Sequence, residues 1–150
     1  MSSGGIPIEI LLVEDDPDDV LLTRKALDEG RMLNNLHVVR DGVEAMDFLY
    51  QRGPYSDAPR PGIVLLDLNM PRKDGREVLA EVKSDELLKS IPIIVLTTSE
   101  AEQDILKSYN LHANAYVPKP VDPDEFVKVI RSFDSFWLSV VKLPCPGEAG

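Results

Sequence analysis

The chain is poor in the residues that would tie it to several broad functions. It has one cysteine, Cys145, near its C-terminal end. One thiol forms no internal disulfide and makes no cysteine-ligated metal site, and it fits a reducing, cytoplasmic setting. Basic residues are outnumbered: 16 Lys and Arg stand against 26 Asp and Glu in 150 residues, a net charge of −10. Such a chain repels phosphate backbones and anionic lipid headgroups, which argues against nucleic-acid and membrane binding. No apolar run approaches the ~20 residues of a membrane helix. The opening residues, MSSGGIPIE, lack a basic segment leading into an apolar one, so they do not read as a secretion signal. Neither GxxxxGKS nor GxxxxGKT occurs, which excludes a P-loop nucleotide enzyme.

What is present is an alternation. IEILLV (8–13), IVLL (63–66) and IIVL (93–96) are short, nearly continuous and rich in Ile, Leu and Val, with LHVV (36–39) and AYV (115–117) as weaker versions. Continuous apolar strands imply cover on both faces, hence a parallel sheet. Between them lie helix openings: Asp16-Pro17-Asp18-Asp19, Asp41-Gly42-Val43-Glu44, Asp74-Gly75-Arg76-Glu77, Ser99-Glu100-Ala101-Glu102 and Asp122-Pro123-Asp124-Glu125. Each puts a capping side chain before acids suited to a helix N-terminus. Strand and helix therefore alternate five times. Right-handed crossovers make this an α/β chain with a doubly wound, five-stranded parallel sheet, order 2-1-3-4-5, flanked by five helices. Residues 50–62, YQRGPYSDAPRPG, form a long Pro/Gly-rich loop, of the kind that is functional, mobile or simply a solvated insertion.

Ligands in such a sheet bind at the carboxyl ends of the strands, beside the switch point between strands 1 and 3. Strand 1 runs into Glu14-Asp15-Asp16, strand 3 ends in Asp67 with Asn69 close behind, strand 4 ends in Thr97-Thr98, and strand 5 runs into Tyr116-Val117-Pro118-Lys119-Pro120. Asp15 and Asp67 fall on adjacent strands at one rim, with Glu14 close by. Two bare carboxylates ~4 Å apart repel by roughly 4 kcal/mol at an effective dielectric near 20, so the cluster calls for a cation. Mg2+ suits it, since it takes one or two carboxylates together with phosphate oxygens and keeps several waters. Lys119 adds a mobile positive charge. Taken singly these residues say little: Asp67 reads as a turn residue, Asp16 as an N-cap, Lys119 as a solvated lysine, Thr97 as an ordinary strand residue, Tyr116 as core. His37 and His112 have no partner at ligand spacing and read as structural or surface groups. Together, four strand ends supply complementary groups for phosphoryl transfer, with Asp67 as the nucleophile.

LLVEDD (11–16), LLDLNMPRKDG (65–75), VLTTS (95–99) and YVPKP (116–120) together resemble the receiver domain of two-component response regulators, over residues 6–134. The resemblance implies a flavodoxin-like fold and a set of roles. Asp67 accepts a phosphoryl group from a sensor histidine kinase. Asp15 and Asp67 ligate Mg2+ directly, Asn69 gives it a backbone carbonyl, and Glu14 acts through water. Thr97 and Lys119 hold the phosphoryl oxygens, Tyr116 is the rotamer switch, and the Lys119-Pro120 peptide is cis. Glu14 stands where many relatives have Asp. Thr98 stands where many have a smaller residue, so it is expected to slow the attacking water. The 50–62 loop, VLTTS and the tail FWLSVVKLP (136–144) look like stand-alone regulators that serve phytochrome-type kinases.

Residues 1–5 read as a disordered tail, 6–134 as the receiver, and 135–150 as an extension that makes a dimer contact and then becomes flexible. Too little chain follows Lys119 for a DNA-binding module, so output is expected through protein contact or onward phosphoryl transfer. The last helix carries more apolar residues than one core stripe needs. Phe133, Phe136, Trp137 and Val140 are the expected homodimer contacts. Two other classes compete. A haloacid dehalogenase-type phosphohydrolase needs an acid two residues past its nucleophile, where this chain has Asn69, so the chain is not read as an enzyme on foreign substrates. A docking module that works without phosphorylation has no need of Asp15, Asp67, Thr97 and Lys119 together.

Overall fold

Apolar runs and capping acids become alternating strands and helices around one central sheet. The computed structural model describes residues 7–30, 33–68, 73–98, 100–108, 110–119 and 121–142, with the side chains of 133–142 outside that description. In chain order come β1 (Ile8–Val13), α1 (Pro17–Glu29), β2 (Asn34–Val39), α2 (Gly42–Leu49), a 3-10 turn (Gly53–Tyr55), β3 (Ile63–Asp67), α3 (Gly75–Ser84), β4 (Ile93–Thr97), α4 (Glu100–Ser108), β5 (Ala115–Pro118) and α5 (Pro123–Lys142). The strands are parallel, in the order β2-β1-β3-β4-β5, as the sequence predicts.

Side chains alternate across the sheet with period two, and the alternation sorts them into two cores. Leu11, Val13, Val64, Leu66, Ile93 and Val95 pack with Met46, Leu49, Val78, Leu79 and Leu106 of α2, α3 and α4. Ile10, Leu12, Ile63, Leu65, Ile94 and Leu96 pack with Ala26 and Leu27 of α1 and Phe126 and Ile130 of α5. β3 and β4 are buried along their whole length. Edge strands β2 and β5 are only partly covered, which is why their sequences read as weaker strands.

The helix openings cap as their sequences suggest. Asp16 accepts from the Asp18 amide at 2.9 Å ahead of Pro17, and Asp41 accepts from the Glu44 amide at 2.9 Å. Asp74 and Glu77 close a reciprocal capping box at 3.1 Å in each direction. Ser99, the expected cap of α4, lies outside the described residues. Asp122 accepts from the Glu125 amide at 3.4 Å at the start of α5. That helix continues through Asp134 as far as Lys142.

The 50–62 loop packs against the domain. Tyr55 lies 5.5 Å from the Phe48 ring, Gln51 donates to the Ala58 carbonyl at 2.6 Å, and the Gly62 amide donates to the Glu9 carbonyl at 2.8 Å. Tail residues 1–5, together with 143–150, are outside the described residues.

The start of α3 packs directly on the end of β3. The Gly75 amide donates to the Leu68 carbonyl at 3.1 Å. A Cβ at Gly75 would stand 2.6 Å from the Asp67 carbonyl oxygen and 2.7 Å from the Leu68 Cα, and both of those are backbone atoms. Gly75→Ala should therefore lower the unfolding free energy by about 1–3 kcal/mol, the usual range for overpacking. A urea denaturation curve measures it, and an unchanged midpoint would show that the contact with Asp67 and Leu68 yields freely.

Candidate functional site

The rim of the sheet collects the strand ends in the order that the topology dictates. Beyond β1, the Glu14 amide donates to the Val39 carbonyl at 2.9 Å, which carries the β1–β2 pairing one residue further. The Asp16 amide then turns back onto the Glu14 carboxylate at 3.2 Å. This turn leaves Glu14 buried, at 1% exposure, and Asp15 exposed beside it. Asp67 closes β3 opposite Leu96 of β4, and Thr97 closes β4 opposite Pro118 of β5; both side chains are buried. The Lys119 amide donates to the Thr97 carbonyl at 2.8 Å, so the lysine begins at that same rim.

Burial of charge on this scale needs compensation, and Lys119 provides it. Its ammonium donates to Glu14 Oε1 at 2.9 Å and to Asp19 Oδ2 at 3.0 Å, and stands 3.5 Å from Asp67 Oδ1. Burial alone would pull the lysine pKa down. The hydrogen bonds to Glu14 and Asp19, with the Asp67 and Glu14 charges, overcome it and hold the group firmly protonated. Glu14 shows the opposite balance. Burial is the largest influence, the Asp67 charge adds to it, and Lys119 offsets only part, so the carboxyl is pushed up to about 7.

Glu14, Asp15 and Asp67 each present a carboxylate oxygen, and these oxygens lie within 4.8 Å of one another. An all-oxygen, multiply anionic donor set of this size fits a hard divalent cation. The structure thus brings Glu14, Asp15, Asp67 and Lys119 together, with Thr97 at the adjoining end of β4. Asn69 and Pro120 lie outside the described residues, as do the side chains of Phe133, Phe136, Trp137 and Val140.

Of the two expected switch residues, Tyr116 lies in β5 opposite Val95 of β4, and Thr98 directly follows the end of β4. Tyr116 is half-buried against the core on the α2–α4 side, and its hydroxyl accepts from the Ala113 amide at 3.4 Å. Thr98 is exposed, and both its amide and its hydroxyl donate to the Glu102 carboxylate, at 3.0 and 3.1 Å. His37 bonds Glu9 at 2.7 Å and lies 5.3 Å from the Phe48 ring, and His112 is exposed, so both are structural or surface groups.

Asp19 was not legible as part of the site. It reads as one of two acids in the first turn of α1, and residue type does not separate it from Asp18. Only the helix direction does: Asp18 is exposed, while Asp19 turns toward the sheet and meets Lys119.

The response regulator receiver domain family matches residues 10–131. Response regulator Rcp1 from Synechocystis sp. is 48% identical over 138 residues, 92% of this chain and 94% of that protein. The crystal structure of the phosphorylated cyanobacterial phytochrome response regulator RcpA superposes with a TM-score of 0.73 at 47% identity, covering 90% of this chain and 96% of that one. The Mn2+-bound form of Rcp1 superposes with a TM-score of 0.72 at 48% identity, covering 88% and 95%.

The raised Glu14 pKa gives the site a pH dependence. A cation that needs Glu14 ionised must displace its proton below about pH 7. Divalent-cation affinity should therefore fall as pH drops through that value, by up to about tenfold per unit for one competing proton. Folding carries the matching sign without metal. The folded state holds the extra proton between the ordinary value of 4.5 and about 7, so stability declines as pH rises through that window. Calorimetric titration of Mn2+ across this range tests the first statement, and Glu14→Gln should flatten the profile.

Proposed function

The chain belongs to the response regulator receiver domain family of two-component systems, and from that premise we propose that Asp67 is its phosphoacceptor, charged by a sensor histidine kinase in the presence of Mg2+. One observation carries the reading. The buried strand-end carboxylate of Asp67 is shared between an acidic group with Glu14 and Asp15, fit for a divalent cation, and an ammonium 3.5 Å away. A buried carboxylate with positive charge available on two sides suits attack on a phosphoryl group.

In the proposed step an Asp67 carboxylate oxygen attacks phosphorus. A P–O bond forms, and the P–N bond to the kinase phosphohistidine breaks. The leaving imidazole keeps the electron pair and the phosphoryl stays on Asp67. Asp15 and Asp67 would hold Mg2+, with Glu14 acting through water and the backbone carbonyl of Asn69 as a further ligand. When bound, Mg2+ neutralises the phosphoryl oxygens. Lys119 and the Thr97 hydroxyl donate to those oxygens. Their shift toward Asp67 opens space for Tyr116 to turn inward, and Thr98 shields the acyl phosphate from water. Output follows by protein contact or onward transfer.

Likeness to a cyanobacterial phytochrome response regulator supports a phytochrome-type kinase as the partner. The apolar surplus of α5 supports a homodimer through Phe133, Phe136, Trp137 and Val140. The net charge of −10 supports a role without nucleic acid or membrane. Among the described residues no helix is long and apolar enough to cross a membrane, and the reading places the chain in the cytoplasm. Asn69 in place of a second acid supports self-limited phosphoryl chemistry over turnover of foreign esters.

The test is intact mass after incubation with acetyl phosphate and Mg2+, for wild type and Asp67→Asn. One added phosphoryl group in wild type and none in the variant is the expected result. No addition to wild type, with acetyl phosphate or with purified histidine kinases, would favour a phosphorylation-independent docking module. Continued phosphate release from an ester substrate would favour an enzyme.

A further inference from the structure

Asp19 is the partner of Lys119 that no other part of the site requires. An ammonium has three N–H donors, and three carboxylates surround this one: Glu14 at 2.9 Å, Asp19 at 3.0 Å and Asp67 at 3.5 Å. Glu14 and Asp67 also belong to the cluster fit for a divalent cation, and Asp19 does not. It approaches from α1, with 30% of its side chain exposed, whereas the Lys119 side chain is 13% exposed. A lysine buried to this degree needs an anion at all times. When a cation takes Glu14 and Asp67, Asp19 is the acid left to hold it.

We propose that Asp19 is a positioning residue that draws the Lys119 ammonium toward α1 and thereby releases Glu14 and Asp67 to a divalent cation. The proposal rests on the phosphoacceptor reading above for its place in the phosphorylation cycle. Its physical content, competition between a lysine and a metal for the same carboxylates, stands apart from that reading. Without Asp19, the ammonium turns wholly onto Glu14 and Asp67. The cation must then displace it with no acid to receive it. Asp19 thus acts on the metal through Lys119 and not by ligation.

The experiment is a double-mutant cycle read by calorimetric titration of Mn2+ on the full chain: wild type, Asp19→Asn, Lys119→Met and the double variant, with Asp18→Asn as control. Asp18 lies one residue earlier and is exposed, so the control removes the same charge from the same helix turn. Asp18→Asn should bind Mn2+ nearly as wild type does. Asp19→Asn should weaken binding by about threefold to tenfold, between the effects of an exposed and a buried ion pair. In the Lys119→Met background the Asp19→Asn effect should vanish. Equal effects of Asp18→Asn and Asp19→Asn, or an Asp19→Asn effect that survives loss of Lys119, would overturn the proposal. Should Lys119→Met not fold, Lys119→Gln closes the same cycle. In phosphoryl uptake from acetyl phosphate, the Mg2+ concentration for half-maximal rate should rise in Asp19→Asn by the same factor, and an unchanged requirement counts against the proposal. A wild type that takes up no phosphoryl overturns the acceptor reading alone, because the Mn2+ cycle still decides the role of Asp19.

Discussion

A single ammonium group stands among three carboxylates, and the rest of the site is arranged around that fact. Lys119 reaches Glu14, Asp19 and Asp67 within 3.5 Å, at a rim where Glu14 and Asp67 are almost wholly buried. Carboxylates ~4 Å apart repel by roughly 4 kcal/mol at an effective dielectric near 20, and burial makes the repulsion harder to screen. The lysine offsets part of it. A proton on Glu14, whose pKa is pushed up to about 7, offsets more. Positive charge is what this rim requires, and the Lys119 ammonium supplies it to Glu14 at 2.9 Å and Asp67 at 3.5 Å.

The fold delivers that arrangement from distant parts of the chain. In the order β2-β1-β3-β4-β5, two strands lie between β1, which positions Glu14, and β5, which positions Lys119. Three strand spacings of ~4.8 Å separate those backbones, so only long side chains meet across the gap. Lysine is such a residue, and Glu14 has one methylene more than an aspartate would. Asp67 occupies the ground between them because β3 pairs with β1 and β4. The cores on the two faces hold the strands in register, and Gly75 lets α3 approach the backbone of Asp67 and Leu68 closely. Packing on both faces therefore sets the distances at the rim.

This division explains what a reader of the sequence can and cannot see. The sheet order was legible because IEILLV, IVLL and IIVL are nearly continuous apolar runs separated by capped helices, and the chirality of crossovers leaves few topologies. Glu14, Asp67, Thr97 and Lys119 were legible because each terminates or follows a strand, and strand ends share one rim. Asp19 was not, because its contribution depends on the rotation of α1 about its own axis. A first-turn acid looks the same whether it faces solvent, as Asp18 does, or a lysine a hundred residues later. The 50–62 loop was open to several readings because Pro and Gly mark irregular backbone without saying what it packs on. Tyr55 and Ala58 settle that by lying against the hydrophobic core. The weak apolar patterns of β2 and β5 belong to edge strands, half covered and so half polar.

The charges at the rim also imply an order of events. A phosphoryl group adds nearly two negative charges and several strong acceptor oxygens. In the resting arrangement the one ammonium already serves three acids, so a phosphoryl arriving at Asp67 would meet carboxylates whose compensation is fully engaged. A divalent cation changes that balance. On the proposed reading it would take over neutralisation of Glu14 and Asp67, and the lysine would then be held by Asp19, whose side chain is 30% exposed. An ammonium so held is bound loosely enough to move to a stronger anion and closely enough to reach it. Cation before phosphoryl, and lysine after both, is the sequence in which no buried charge at this rim is left uncompensated.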